Sequence, residues 1–177
     1  MYDYENSPEP ELIRRAKRGD VKAFSRLYAR IYKDLYKFAL YMTRHQQDAE
    51  DVVSEAIISA YENISDLKKE NSFKSWMFMI LNNQCKKVLR IGQKEKRQLT
   101  YQGEGGSEDR GHEPDYAQWH DVRRAFEMLD EEEQRIIAFS VFGGYRSSEI
   151  AQLLGKNAAT VRSRKSRALE KMRNALM

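Results

Sequence analysis

The amino-acid sequence predicts an all-α protein built as two small helical domains joined by a flexible acidic linker. Three features lead there. Apolar residues recur every three to four positions over long stretches, and no run alternates with the period of two that a half-buried strand requires. Only 3 Pro and 9 Gly interrupt the 177 residues, and four of those Gly fall in one short stretch. That stretch, QLTYQGEGGSEDRGHEPDY at 98–116, lacks an apolar period and carries five acids against one base, the composition of a linker. The chain therefore divides into a first unit at 1–97, the linker at 98–116 and a second unit at 117–177.

In the first unit, residues 9–18 form a short helix ended by Gly19-Asp20. A longer helix over about 21–43 lines up Phe24, Leu27, Tyr28, Ile31, Leu35, Phe38 and Met42 on one face. The third begins near Asp48, a residue type suited to an N-cap. Val53, Ala56, Ile57, Ala60, Tyr61 and Ile64 fall on its apolar side. Asp48, Asp51, Glu55 and Glu62 share a narrow wedge on the other side with Ile58. After the polar loop SDLKKENS at 65–72, a fourth helix runs from about Phe73 to Lys96. Phe73, Met77, Ile80, Gln84, Val88 and Ile91 follow one stripe, with Trp76 and Leu81 beside it. Lys74, Asn82, Asn83, Lys86, Lys87, Arg90 and Lys94 point largely away.

The second unit also reads as four helices. The first covers about Asp115–Leu129. Asp130 to Glu133 resembles a capping box that opens the second, which runs to about Phe142 before Gly143-Gly144 breaks it. Ser147 can cap a short third helix through Leu154, where Gly155 suits a left-handed stop. Asn157 can cap the last helix, which continues to about Ala175.

Charge is segregated although 31 Lys and Arg only slightly outnumber 27 Asp and Glu. Residues 48–66 carry six acids and no base, 67–97 nine bases and two acids, and 156–177 seven bases and one acid. Basic helical segments of this kind attract polyanions. No apolar run approaches the roughly 18–20 residues of a membrane helix. The acidic, polar start MYDYENSPEPE does not read as a signal peptide. The single Cys85 excludes an internal disulfide framework and points to a reducing, cytoplasmic setting. No ligand spacing joins His45, His112 or His120 to Cys85 as a zinc site, and no Gly-rich phosphate loop or nucleophile triad is present. No metal, cofactor or catalytic residue is expected.

The stretch Ser147–Arg167 has helix-turn-helix spacing. Small Ala151 lets two helices approach, Gly155 takes the turn, and Val161 packs the second helix onto the first with Ile150 and Leu154. Such a hairpin presents the start of its second helix to a DNA major groove. Here that start carries Asn157, Thr160, Arg162, Ser163, Arg164 and Arg167. Arg can bond guanine edges in bidentate fashion, and Ser and Thr can bond phosphate or bases.

With these motifs in view, the chain resembles the bacterial RNA polymerase sigma factors of the extracytoplasmic-function (ECF) type. KRGDVKAFSRLYARIYKDLYKFA is similar to the first conserved segment of their region 2, and DAEDVVSEAIISAYENI to their polymerase-binding helix. FKSWMFMILNNQCKKVLR is similar to their helix for the minus-ten promoter element, and YRSSEIAQLLGKNAATVRSRKSRALEKMR to their region-4 helix-turn-helix for the minus-thirty-five element. The resemblance implies a non-catalytic initiation factor that binds core RNA polymerase and promoter DNA and answers to an inhibitory anti-sigma partner. It assigns Asp48, Asp51, Glu55, Ile58 and Glu62 to the polymerase. Asn71, Lys74, Trp76, Asn83, Lys86, Lys87 and Arg90 go to the melted minus-ten region. The recognition-helix residues above go to the minus-thirty-five duplex, and the linker follows the connector that enters the polymerase.

The residues alone leave three other readings open. A stand-alone helix-turn-helix regulator would leave the acidic stripe without a purpose. A metal-dependent helical hydrolase could be built on Asp51 and Glu55, which stand one turn apart. A helical adaptor with a basic RNA-binding face would bind any polyanion in a salt-sensitive way.

Overall fold

The computed structural model describes residues 1–68, 73–102 and 117–177, with backbone only at 99–102 and 117–119. Those residues form helices without a strand among them: α1 (Glu9–Lys17), α2 (Val21–Ala29), α3 (Tyr32–Thr43), α4 (Gln46–Glu62), α5 (Phe73–Gln102), α6 (Ala117–Glu127), α7 (Glu131–Val141), α8 (Ser147–Leu154) and α9 (Ala158–Leu176). A single 3-10 turn, Ile64–Asp66, follows α4. Most of the expected linker, 103–116, lies outside the described residues. Its first residues, 98–102, continue α5 instead of leaving it.

Local chemistry explains most boundaries. Asp20 caps α2 by accepting from the Ala23 N–H at 3.2 Å, and Pro8 precedes α1 with Pro10 in its first turn. Asp130 and Glu133 form the reciprocal capping box read from the sequence: Asp130 accepts the Glu133 N–H at 2.8 Å, and Glu133 accepts the Asp130 N–H at 3.1 Å. Gly155 ends α8 at φ +64°, a conformation that strains any side-chain-bearing residue.

Three further boundaries differ from expectation. The long helix over 21–43 is two helices broken at Arg30-Ile31, with no Gly or Pro at the break. The cause is tertiary. The N-terminal segment crosses this point, and the Arg30 guanidinium donates to the carbonyls of Ser7 (2.8 Å) and Glu5 (3.2 Å) while Arg26 pairs with Glu5. The cap of α4 is His45, whose Nδ1 accepts the Asp48 N–H at 3.4 Å, so Asp48 sits inside the first turn. At α8, Arg146 holds the cap position and Glu149 accepts its N–H at 2.7 Å, which leaves Ser147 as the first helical residue.

In the first unit, Leu12, Ile13, Phe24, Leu27, Leu35, Phe38, Val53, Phe73, Met77 and Leu81 are buried together. In the second unit, α6, α7 and α8 close around Phe126, Ile136, Phe139, Ile150 and Val161. The two cores are continuous. Rings of α3 and α5 meet rings of α6, α7 and the α7–α8 turn: Phe38–Phe139 at 5.0 Å, Tyr41–Phe126 at 5.1 Å, Tyr41–Phe142 at 4.9 Å and Phe78–Tyr145 at 5.9 Å. Arg123 donates to the Arg44 carbonyl across the same joint. Aromatic pairs contribute about 0.5–1.5 kcal/mol each beyond burial, so the units dock as one body. Sequence periodicity put Phe38 on an apolar face but could not show that one core serves both units.

Candidate nucleic-acid interface

The α8–α9 hairpin is built from its turn outward. Ile150, Ala151 and Val161 are buried between the helices, and the Lys156 N–H donates to the Ala151 carbonyl at 2.8 Å. Asn157 starts α9 by accepting the Ala159 N–H at 2.8 Å. Its side chain therefore shapes the turn. Val161 and Ala168 face inward, and the opposite face exposes Thr160, Arg162, Ser163 and Arg167. Ser166 lies on that exposed face too, although the sequence reading passed over it. Helical position is the signal that finds it, since 162, 163, 166 and 167 span adjacent turns of one side.

Arg164 is placed differently. Its Nη1 lies 3.4 Å from Asp130 and 3.6 Å from Glu132, both at the start of α7. Lys171, seven residues on and so on the same face, pairs with Glu133, while Lys156 reaches Glu132 at 3.7 Å. This row of cations holds α9 against the acidic first turn of α7. Glu133 is itself buried, so its bond to Lys171 also completes the cap of that helix.

The second cationic face belongs to α5. Asn83, Lys87, Arg90 and Lys94 are exposed within one narrow sector of the helix, and half-exposed Lys86 borders it. Burial first, then the neighbouring charges of Arg135 and Arg90, hold the Lys86 ammonium below its ordinary pKa. Trp76 is half-buried beside Phe73, at 6.3 Å between ring centroids. The Lys74 ammonium sits 5.9 Å over the Phe78 ring, on the docked side of the helix. Asn71 lies outside the described residues. Asn82, expected on the polar face, is fully buried, and neither polar atom of its amide has a hydrogen-bond partner among the described residues.

A third, acidic surface lies on α4. Asp51, Glu55 and Glu62 are exposed with Ile58, which is 52% exposed; Asp48 is half-exposed and 3.9 Å from the His45 ring nitrogen. Tyr61, expected in the apolar stripe, stays 40% exposed with its ring 5.2 Å from Phe24. Phe24 also meets Tyr28, at 6.3 Å, and from there Tyr28, Tyr32 and Tyr36 form a ladder with centroids 6.3 and 6.4 Å apart. Acids flanking exposed aliphatic and aromatic groups suit a basic, partly apolar helical partner.

Burial pushes the Cys85 thiol up to about 12, which leaves it protonated. Among the described residues, no three His, Cys, Asp or Glu side chains converge as a metal site, and no helix is long and apolar enough to cross a membrane.

Comparison with known proteins follows the same division. Residues 27–95 match the family described as Sigma-70 region 2, and residues 119–172 match Sigma-70, region 4. RNA polymerase sigma factor SigV of Bacillus subtilis is 29% identical over 147 residues, covering 80% of this chain and 83% of its own. ECF RNA polymerase sigma factor SigM of Mycobacterium tuberculosis is 27% identical over 168 residues, covering 95% and 84%. Among solved structures, the sigma factor RpoE of Bartonella quintana, crystallised with the anti-sigma factor NepR, superposes with a TM-score of 0.74 at 23% identity over 88% of this chain and 98% of its own.

Proposed function

We propose, for a chain that belongs to the sigma-70 family of RNA polymerase sigma factors and to its ECF type, that each of its three polar faces serves one step of promoter-directed transcription initiation. The acidic face of α4, with Asp48, Asp51, Glu55, Ile58, Tyr61 and Glu62, docks on core RNA polymerase. The exposed face of α9, with Thr160, Arg162, Ser163, Ser166 and Arg167, reads the minus-thirty-five duplex. The basic face of α5, with Asn83, Lys86, Lys87 and Arg90, holds the backbone of the melted minus-ten strand, with Trp76 and Asn71 beside the captured bases. Unstacking a base costs a few kcal/mol, and capture of the single strand offsets that cost. The protein acts by binding alone. An anti-sigma factor, the kind of partner with which RpoE was crystallised, is its natural inhibitor.

The observation that carries this reading is the pairing of two cationic faces on separate units with one acidic face. A stand-alone regulator has no use for the last, and a polyanion-binding adaptor has no use for the helix-turn-helix. The docked form adds a requirement. The two promoter elements lie about 25 base pairs, or about 85 Å, apart on B-form DNA. A compact chain of this length has a radius of gyration of only about 16 Å. The units must therefore separate before both elements are held. Run-off transcription with purified core polymerase and a library of genomic promoter fragments tests the proposal. Discrete start sites that depend on the added protein support it, and a folded protein that directs none refutes it.

A further inference from the structure

The joint between the units contains a crevice of about 210 Å³, lined by Lys86, Leu89, Arg90 and Gln93 of α5 and by Glu131 and Arg135 of α7. Three cations converge there from both units. Among the described residues the single carboxylate lining it, Glu131, is engaged by Arg135 at 3.0 Å. The aromatic contacts that dock the units hold these like charges together, with Lys86 partly withdrawn from water, so the closed arrangement works against a repulsion that Glu131 offsets only in part.

We infer that this crevice is a binding site for a small, multiply charged phosphate anion, held by Lys86 and Arg90 on one unit and by Arg135 on the other. Arg90 provides a forked donor suited to phosphate oxygens, Arg135 the part of its guanidinium that Glu131 does not engage, Lys86 a point charge and Gln93 an amide donor. An anion held from both sides removes the repulsion and ties the units together, so it favours the closed form. Its regulatory consequence rests on the function proposed above: Lys86 and Arg90 cannot hold the ion and the promoter backbone at once, so the bound anion withdraws the protein from transcription.

Inorganic pyrophosphate is the probe, titrated calorimetrically into the full chain at an ionic strength held constant with chloride. The expected result is saturable binding of one ion per chain. Arg135→Gln, which alters no residue placed on polymerase or DNA, should weaken that binding about tenfold or more, and Glu131→Gln should tighten it. Thermal melts confirm that both variants fold. A short single-stranded oligonucleotide distinguishes a free anion from backbone phosphate. It should displace pyrophosphate from the wild-type protein and bind Arg135→Gln as well as it binds the wild type. Heat no greater than that of matched chloride overturns the proposal, as does equal pyrophosphate binding by Arg135→Gln. Transcription by Arg135→Gln in the absence of pyrophosphate reports separately on the initiation-factor reading and should stay at the wild-type level.

Discussion

Arg162 and Arg164 stand two positions apart and meet opposite surroundings. Arg162 faces solvent on the outer side of α9, whereas Arg164 spends its guanidinium on Asp130 and Glu132. Composition cannot separate them, because both are arginines at the start of a recognition helix; the partners that claim Arg164 come from a helix more than thirty residues earlier in the chain. Partly exposed pairs of this kind are worth about 0.2–1 kcal/mol each. Arg164→Ala should therefore lower the melting temperature slightly and leave binding of a minus-thirty-five duplex reduced by a few-fold at most. Arg162→Ala and Arg167→Ala should keep the melting temperature and lose about 1–3 kcal/mol of duplex affinity wherever the side chain reads a base. Fluorescence anisotropy with a labelled duplex, alongside thermal melts, separates the two roles, and equal affinity losses for Arg162→Ala and Arg164→Ala would contradict them.

Among the helices, α5 carries the most conflicting demands. One side enters the core through Phe73, Met77, Leu81 and Cys85, another meets the second unit through Phe78, and a third exposes Asn83, Lys87, Arg90 and Lys94. Asn82 lies one turn past Phe78, buried, and its amide has no hydrogen-bond partner among the described residues. An unsatisfied buried amide costs about 1–3 kcal/mol. Asn82→Leu should raise the melting temperature by several degrees, since each kcal/mol moves it by about 2–4 °C in a chain of this size. A lowered melting temperature would mean that the amide finds a partner in solution. Helix existence, the capping box at Asp130, the stop at Gly155 and the cap at Asn157 were legible in the sequence because each is a local rule. The break at Arg30-Ile31 was not, because it arises from a segment distant in the chain, the N-terminal strap on Arg30; nor was the burial of Asn82, which breaks the polar period of its face.

For the molecule as a whole, the charge map read from the sequence survives as three separate faces, and the acidic stripe of α4 keeps its exposed Ile58. What the sequence concealed is the joint. Phe38 follows the apolar period of its helix, Tyr41 and Phe78 lie off the stripes of theirs, and nothing in those periods shows that Phe126, Phe139, Phe142 and Tyr145 share the same interior. The proposed function thus requires two arrangements of one chain: docked when free, and parted when core polymerase sets the units on two distant promoter elements. The most direct test is energy transfer between dyes on cysteines introduced at Arg18 and Glu170, both exposed, with buried Cys85 left unlabelled by its high pKa. Transfer should be high in the free protein, lower in a Tyr41→Ala variant that loosens the joint, and lowest once core polymerase and promoter DNA are added. Transfer that stays unchanged in a complex actively producing transcript would contradict the account.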